Sequence, residues 1–129
     1  MARIICFDIE TTGFEYMRGD RVIEIGAVEV VDGKITDNTF HEYINPEGKI
    51  IPPDTYAVHK ISNAFLEDKP KMSEIAPKFL AFIGDSPIVA HNGLDFDFPF
   101  VNHELAMLNL PQIPRSQQMD SLVIARNRV

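Results

Sequence analysis

Two acids stand in a strand that otherwise reads as buried. Residues 3–10 form a short apolar run that includes Ile4-Ile5-Cys6-Phe7-Asp8-Ile9-Glu10 and closes on Thr11-Thr12-Gly13. Its length, its isoleucines and the turn residues after it predict a strand. Ile5, Phe7 and Ile9 fall on one face, and Ile4, Cys6, Asp8 and Glu10 on the other. Both faces begin apolar, which predicts a central strand covered on both sides. Asp8 and Glu10 therefore project together, and two carboxylates held close cost free energy unless a cation neutralises them. A divalent ion with oxygen ligands is the simplest partner, and carboxylates suit Mg²⁺ or Mn²⁺. The residues alone leave a second reading open, in which one acid closes the Thr11-Thr12-Gly13 turn and the other is solvated.

A second acidic group occurs in His91-Asn92-Gly93-Leu94-Asp95-Phe96-Asp97. It follows one predicted strand and opens a predicted helix, a junction where α/β proteins place sites. In a first helical turn Asp95 and Asp97 point about 200° apart, so both cannot be ligands. Asp95 is assigned to the helix N-cap and Asp97 to the site. Asp8, Glu10 and Asp97 then make three carboxylates able to meet across adjacent strand ends. That set matches two-metal phosphodiester attack, with ions roughly 3.5–4 Å apart on the attacking and leaving oxygens.

The elements that must position these acids follow from the same pattern. Residues 22–31 predict a second strand, Asp32-Gly33 a hairpin turn, and residues 35–44 a third strand, so three antiparallel strands precede any helix. Residues 45–58, with Asn45-Pro46, Gly48 and Pro52-Pro53, read as a loop. Ser62 is expected to cap a short helix through residue 67, and Ser73 a longer one through residue 83 with Gly84 past its end. In the longer helix Ile75, Phe79, Phe82 and Ile83 form an apolar stripe. Residues 87–90 predict a fourth strand and residues 96–108 a helix, and Asp120 is placed as the cap of a last helix from Ser121 that is cut off at Val129. The order implies a mixed sheet flanked by helices, an α/β architecture.

Composition narrows the function classes. The 129 residues are one domain's worth of chain, taken as a single unit over 1–129, with 45% apolar and 24% charged residues. That balance excludes disordered and collagenous classes, and no apolar run reaches the ~20 residues of a membrane span. An acid at position 8 argues against a secretory signal. A single cysteine, Cys6, forms no internal disulfide and no Cys-rich zinc site, so the reading is cytoplasmic. A net charge of −7 disfavours tight nonspecific duplex binding, yet it is compatible with an enzyme whose acids hold metal ions. Lys69, Lys71 and Lys78 are too sparse for a strong phosphate groove. His59 reads from the residues alone either as a loop histidine bonded to backbone or as a site group. His91 reads as the orienter of a turn, and His41 and His103 as surface residues.

Asp8-Ile9-Glu10-Thr11-Thr12-Gly13 followed by Ile23-Glu24-Ile25-Gly26-Ala27 resembles the first motif of the DEDD superfamily (DnaQ-like) of 3′–5′ exonucleases. Residues 40–70, with Val58-His59-Lys60-Ile61 and Phe65-Leu66-Glu67-Asp68-Lys69-Pro70, are similar to the epsilon-type proofreading subunits of bacterial replicative polymerases. His91-Asn92 with Phe96-Asp97 resembles the second motif, and Met119-Asp120-Ser121-Leu122 with Ala125-Arg126 the segment after it. The acid of the second motif stands one residue further from His91-Asn92 than in the usual proofreading pattern, a spacing more like that of three-prime repair exonucleases.

The resemblance implies a ribonuclease H-like fold, a mixed five-stranded sheet flanked by helices and truncated before its last helix. It implies metal-dependent 3′–5′ exonuclease activity on single-stranded DNA ends, releasing nucleoside 5′-monophosphates. Asp8 and Glu10 would bind two divalent ions, Mg²⁺ or Mn²⁺, with Asp8 bridging both and Asp97 completing the catalytic set. Thr11 and Thr12 would approach the terminal nucleotide through their backbone, His59 would contact it, Asp54 would stand near its 3′-hydroxyl, and Phe96 would pack on base or sugar. A replicative DNA polymerase subunit is the implied partner. The family's third motif, a general-base histidine and a fourth carboxylate, would lie beyond Val129, so the chain as written is expected to lack a complete catalytic set. An RNA-directed relative and a non-catalytic nuclease-like scaffold remain the alternatives.

Overall fold

The computed structural model describes residues 2–91 and 93–120. Strand β1 (Arg3–Thr11) is followed by β2 (Val22–Val31) and β3 (Lys34–Tyr43), then by helices α1 (Pro53–His59), α2 (Asn63–Leu66) and α3 (Met72–Ile83), strand β4 (Ile88–Ala90), helix α4 (Asp97–Met107) and strand β5 (Gln118–Asp120). The five strands form one mixed sheet in the order β3-β2-β1-β4-β5. β1 is the central strand, antiparallel to β2, which is antiparallel to β3; β4 and β5 add in parallel on the other side. The β2–β3 hairpin closes on Asp32 (φ 50°) and Gly33 (φ 82°), the double positive-φ pair that a two-residue turn of matching twist requires.

One face of β1 carries the core. Ile5, Phe7 and Ile9 are buried, and the Phe7 ring meets Phe79 of α3 at 5.8 Å and Phe98 of α4 at 5.3 Å. Phe40 of β3 meets Phe79 and Phe82 of the same helix. The other face of β1 departs from the expected two-sided cover. Asp8 is exposed and Ile4, Cys6 and Glu10 are half-buried, because α3 and α4 both pack on the Phe7 side.

Three local expectations are corrected. Residues 45–58 are not all loop, since α1 begins at Pro53. Proline at the first helical position lacks an N–H that would be unpaired there anyway, and its fixed φ suits the turn. Ser73 does not cap α3. The cap position belongs to Lys71, without a side-chain bond, and the helix starts one residue before Ser73 because Met72 is drawn into the core at 2% exposure. Asp95 is exposed and does not cap α4; Phe96 holds the cap position and makes no side-chain cap bond there. Its ring instead packs on Phe100 at 5.2 Å. Ser62 caps α2 as expected, accepting from the Phe65 N–H at 3.1 Å. The helix expected from Ser121 lies outside the described residues.

Candidate active site

Three elements converge at the C-terminal end of β1. The strand's register shifts between Glu10 and Thr11, after which Thr11 still pairs with Val22 of β2. Asp97 is the first residue of α4 and is buried at 4% exposure. Its carboxylate takes a hydrogen bond from the backbone N–H of Ile9, which brings α4 onto β1. Burial and the charge of Asp8 raise the Asp97 carboxyl to about 7, with Asp120 at the end of β5 adding to the rise. Glu10 is raised by burial, then by Asp8 and by Glu24 across the ladder. Asp8 thus acts on both other carboxyls from the exposed side of the strand, with its Oδ1 accepting from the Ile9 N–H at 3.0 Å.

The three acids do not form a closed ligand shell. Among the described residues, no three His, Cys, Asp or Glu side chains gather tightly enough to hold an ion. No lysine or arginine among those residues pairs with Asp8, Glu10 or Asp97 either. The donor set fits a hard divalent cation in chemistry: carboxylate oxygens only, with the Glu10 and Asp97 carboxyls raised by burial and by the charge of Asp8. Asp8, Glu10 and Asp97 are the residues that would hold it.

Beside Glu10 opens a cavity of about 470 Å³, walled by Ile9, Thr11, Gly13, Phe14, Asp54, Thr55, Val58, His59 and Phe96. Phe14 and Val58 are 81% exposed, and Phe14 lies 6.1 Å from the Phe96 ring, so two aromatic faces flank the opening. Asp54, in the first turn of α1, and His59, at its end, supply polar groups. His59 Nδ1 accepts from the Ile61 N–H at 3.0 Å, which puts the ring proton on Nε2. That buried Nε2 has no full hydrogen-bond partner among the described residues, although the Thr11 carbonyl favours its proton. Burial holds the imidazole pKa below its usual value, so the ring is a neutral donor.

Thr12 is not part of this wall. Its side chain is fully buried, its hydroxyl donates to Asp20 Oδ1 at 2.9 Å and accepts from the Arg21 N–H, and its own N–H donates to the Arg21 carbonyl. Thr11 does line the cavity, with its hydroxyl donating to the Gly13 carbonyl at 2.6 Å. His41 is exposed and pairs with Glu24, and His103 packs on Tyr16.

Sequence reasoning missed Phe14, Thr55 and Val58 on the wall, and Asp120 beside Asp97. An aromatic directly after a Thr-Thr-Gly turn, with no helical or strand period to bury it, is the signal that could have found Phe14. The sequence pattern assigns Asp120 to a helix cap; here its Oδ2 accepts from the Leu94 N–H at 3.2 Å, bracing the loop into α4.

The chain is similar to known proteins in sequence and in fold. An exonuclease family model, RNase_T, matches residues 5–128. DNA polymerase III subunit epsilon of Rickettsia felis is 46% identical over 128 residues, covering 97% of this chain and 55% of that protein. The epsilon subunit of Escherichia coli K12 is 38% identical over 134 residues, covering 98% and 54%. The chain therefore spans about half the length of the curated relatives it matches. Among solved structures, exonuclease X in complex with 5′ overhanging duplex DNA aligns with a TM-score of 0.73 at 28% identity over 97% of this chain and 63% of that one. E. coli exonuclease I in complex with a dT13 oligonucleotide shares the fold, with a TM-score of 0.84 at 15% identity over 98% of this chain and 29% of that one. From β1 onward, through both acid-bearing segments, the chain belongs to the RNase_T exonuclease family.

Proposed function

We propose that this chain is the catalytic portion of a metal-dependent 3′–5′ exonuclease, of the epsilon proofreading type, that removes nucleoside 5′-monophosphates from single-stranded DNA ends. The observation that carries the reading is that β1 and the start of α4 bring Glu10 and Asp97 within electrostatic reach of Asp8, with Glu10 lining an apolar-walled cavity. Asp8, Glu10 and Asp97 would hold the divalent ions, Mg²⁺ or Mn²⁺, that the reading requires. Divalent ions held there would supply Lewis-acid stabilisation of the scissile phosphate. A cation beside Asp97 would favour its charged form, which burial and Asp8 disfavour. Phe14, Val58 and Phe96 take the terminal base and sugar by stacking and apolar contact. His59 donates from Nε2 to an oxygen of that nucleotide, and Asp54 accepts from the 3′-hydroxyl. Thr11 borders the nucleotide, and Thr12 holds the turn from behind. Membership of the family would assign the general base to a histidine of its third motif. An acidic surface, net −7, supports brief contact with DNA and tethering by a replicative polymerase subunit.

The test is mononucleotide release by the full-length protein from 3′-labelled single strands of DNA and RNA, with Mg²⁺ and with chelator. Release from DNA that chelator and Asp8→Ala both abolish is the expected result. Activity that survives Asp8→Ala overturns the mechanism, and a preference for RNA overturns the substrate.

A further inference from the structure

Asp97 and Glu104 sit seven residues apart on α4 and hence on the same face, two turns along the axis. Each reaches a backbone amide of a different strand. Asp97 takes the Ile9 N–H of β1, and Glu104, 1% exposed, takes the Val22 N–H of β2 at 2.9 Å. Glu104 also receives the Nε of Arg21 at 3.0 and 3.2 Å. The Arg21 Nη2 continues to Glu47 at 3.2 Å. Phe98, Phe100, Val101 and Leu105 of α4 are buried, and apolar contact is not directional. Phe96, its N-cap residue, makes no side-chain cap bond. Glu104 is thus the polar anchor of the helix on β2, as Asn102, which exchanges two bonds with the Ile113 backbone, is its anchor on the segment that follows.

Arg21 also holds the other half of the site. Its backbone N–H donates to the Thr12 hydroxyl at 3.0 Å and its carbonyl accepts from the Thr12 N–H at 2.9 Å, two residues past Glu10. One residue thus ties its main chain to the end of β1 that carries Glu10 and its side chain to the helix that carries Asp97. A buried ion pair is a weak source of net stability but a strong geometric constraint, since moving either partner strands a charge.

We infer that the Arg21–Glu104 pair is a positioning device that sets the approach of Asp97 to Asp8 and Glu10, and so the affinity of the site for divalent ions. This rests on the metal-dependent reading above. Residues that orient ligands indirectly change metal affinity or activity by about 10–100-fold when removed.

The test uses the full-length protein with Glu104→Gln, which keeps an acceptor for Val22 but loses the charge, and Arg21→Lys, which keeps the charge but loses the planar fork. Mn²⁺ binding is read by electron paramagnetic resonance, and kcat and KM for a single-stranded oligonucleotide are measured well below each variant's melting temperature. The expected result for Glu104→Gln is Mn²⁺ binding weakened on the order of tenfold and kcat lowered on the order of tenfold, with KM for the oligonucleotide unchanged and a smaller effect for Arg21→Lys. A folded Glu104→Gln protein that binds Mn²⁺ as the wild type does overturns the inference, as does a wild type that binds no Mn²⁺. If Glu104→Gln does not fold, Arg21→Lys decides on the same Mn²⁺ reading. A wild type that binds Mn²⁺ but releases no nucleotide sinks the exonuclease reading alone, and the positioning role is still judged by the Mn²⁺ affinities.

Discussion

Asp20 occupies the space in which a side chain at Gly13 would stand: a Cβ there would lie 2.4 Å from its Oδ2. The same carboxylate accepts from the Thr12 hydroxyl at 2.9 Å and from the Glu15 N–H at 3.0 Å, so it cannot swing aside without releasing both. Gly13→Ala is expected to destabilise the protein by about 1–3 kcal/mol, the usual range for overpacking a filled site. Denaturant unfolding measures it. In the Asp20→Ala background the added methyl meets no carboxylate, so its cost should shrink below that in the wild type. Equal costs in the two backgrounds would show that the close approach is relieved some other way.

The Asp97 carboxyl gives a pH signature in metal-free protein. The native group keeps its proton up to about pH 7, whereas an aspartate in the unfolded chain loses it near 4. Between those values the folded state binds the extra proton, so this group makes stability fall as pH rises through that window. Below it both states are protonated and the contribution vanishes. Asp97→Asn keeps an acceptor for the Ile9 N–H and removes the charge, so its stability should lack that decline. The gain over wild type at pH 8 is at most about 4 kcal/mol, a tenfold change in proton affinity being worth about 1.4 kcal/mol. Parallel stability–pH curves for the two proteins would refute the assignment. Added Mn²⁺ should recover the loss in the wild type and leave the variant unmoved.

The central part of the fold was legible because its signals are local. Alternation over residues 22–31, the Asp32-Gly33 turn and the Ser62 cap each depend on neighbours in sequence, and each appears where the pattern places it. The misses come from forces acting at a distance. Met72 is pulled into helix ahead of the better capping residue Ser73 by burial against the sheet. Asp95 loses the cap of α4 where Phe96 packs on Phe100. The acids of the site were legible as charges out of place in apolar runs, whereas Phe14 and Val58 become pocket walls only when α1 and the β1–β2 turn meet.

Arg3 closes the C-terminal end of α3 from 79 and 80 residues away, donating to the carbonyls of Phe82 at 2.7 Å and Ile83 at 3.1 Å while also bonding Ser86 and Glu29. These carbonyls have no partner within the helix. Arg3→Ala is expected to lower stability by about 1–3 kcal/mol, the cost of stranding charge-assisted bonds, with hydrogen exchange rising in the last turn of α3. Because that end of the helix is remote from Glu10 and Asp97, kcat of the full-length protein should not change while the variant is folded. A fall in kcat without a fall in stability would contradict this.

Phe14 offers the cleanest separation of binding from folding. It is 81% exposed, so Phe14→Ala removes almost no buried surface and should leave the melting temperature within about a degree, as is usual for exposed positions. Its ring nevertheless faces Phe96 across the mouth of the cavity. If a terminal base enters between them, loss of the ring forfeits a stacking contact worth about 1–3 kcal/mol. The affinity for a single-stranded oligonucleotide should then fall about 5- to 150-fold, since 1.4 kcal/mol is a factor of ten. Phe96→Ala should weaken binding too but also lower stability, because Phe96 packs on Phe100 inside the core. Phe14→Leu keeps apolar contact without a π-face and should fall between wild type and alanine. Oligonucleotide binding that is unaltered in Phe14→Ala would place the base elsewhere than against this wall.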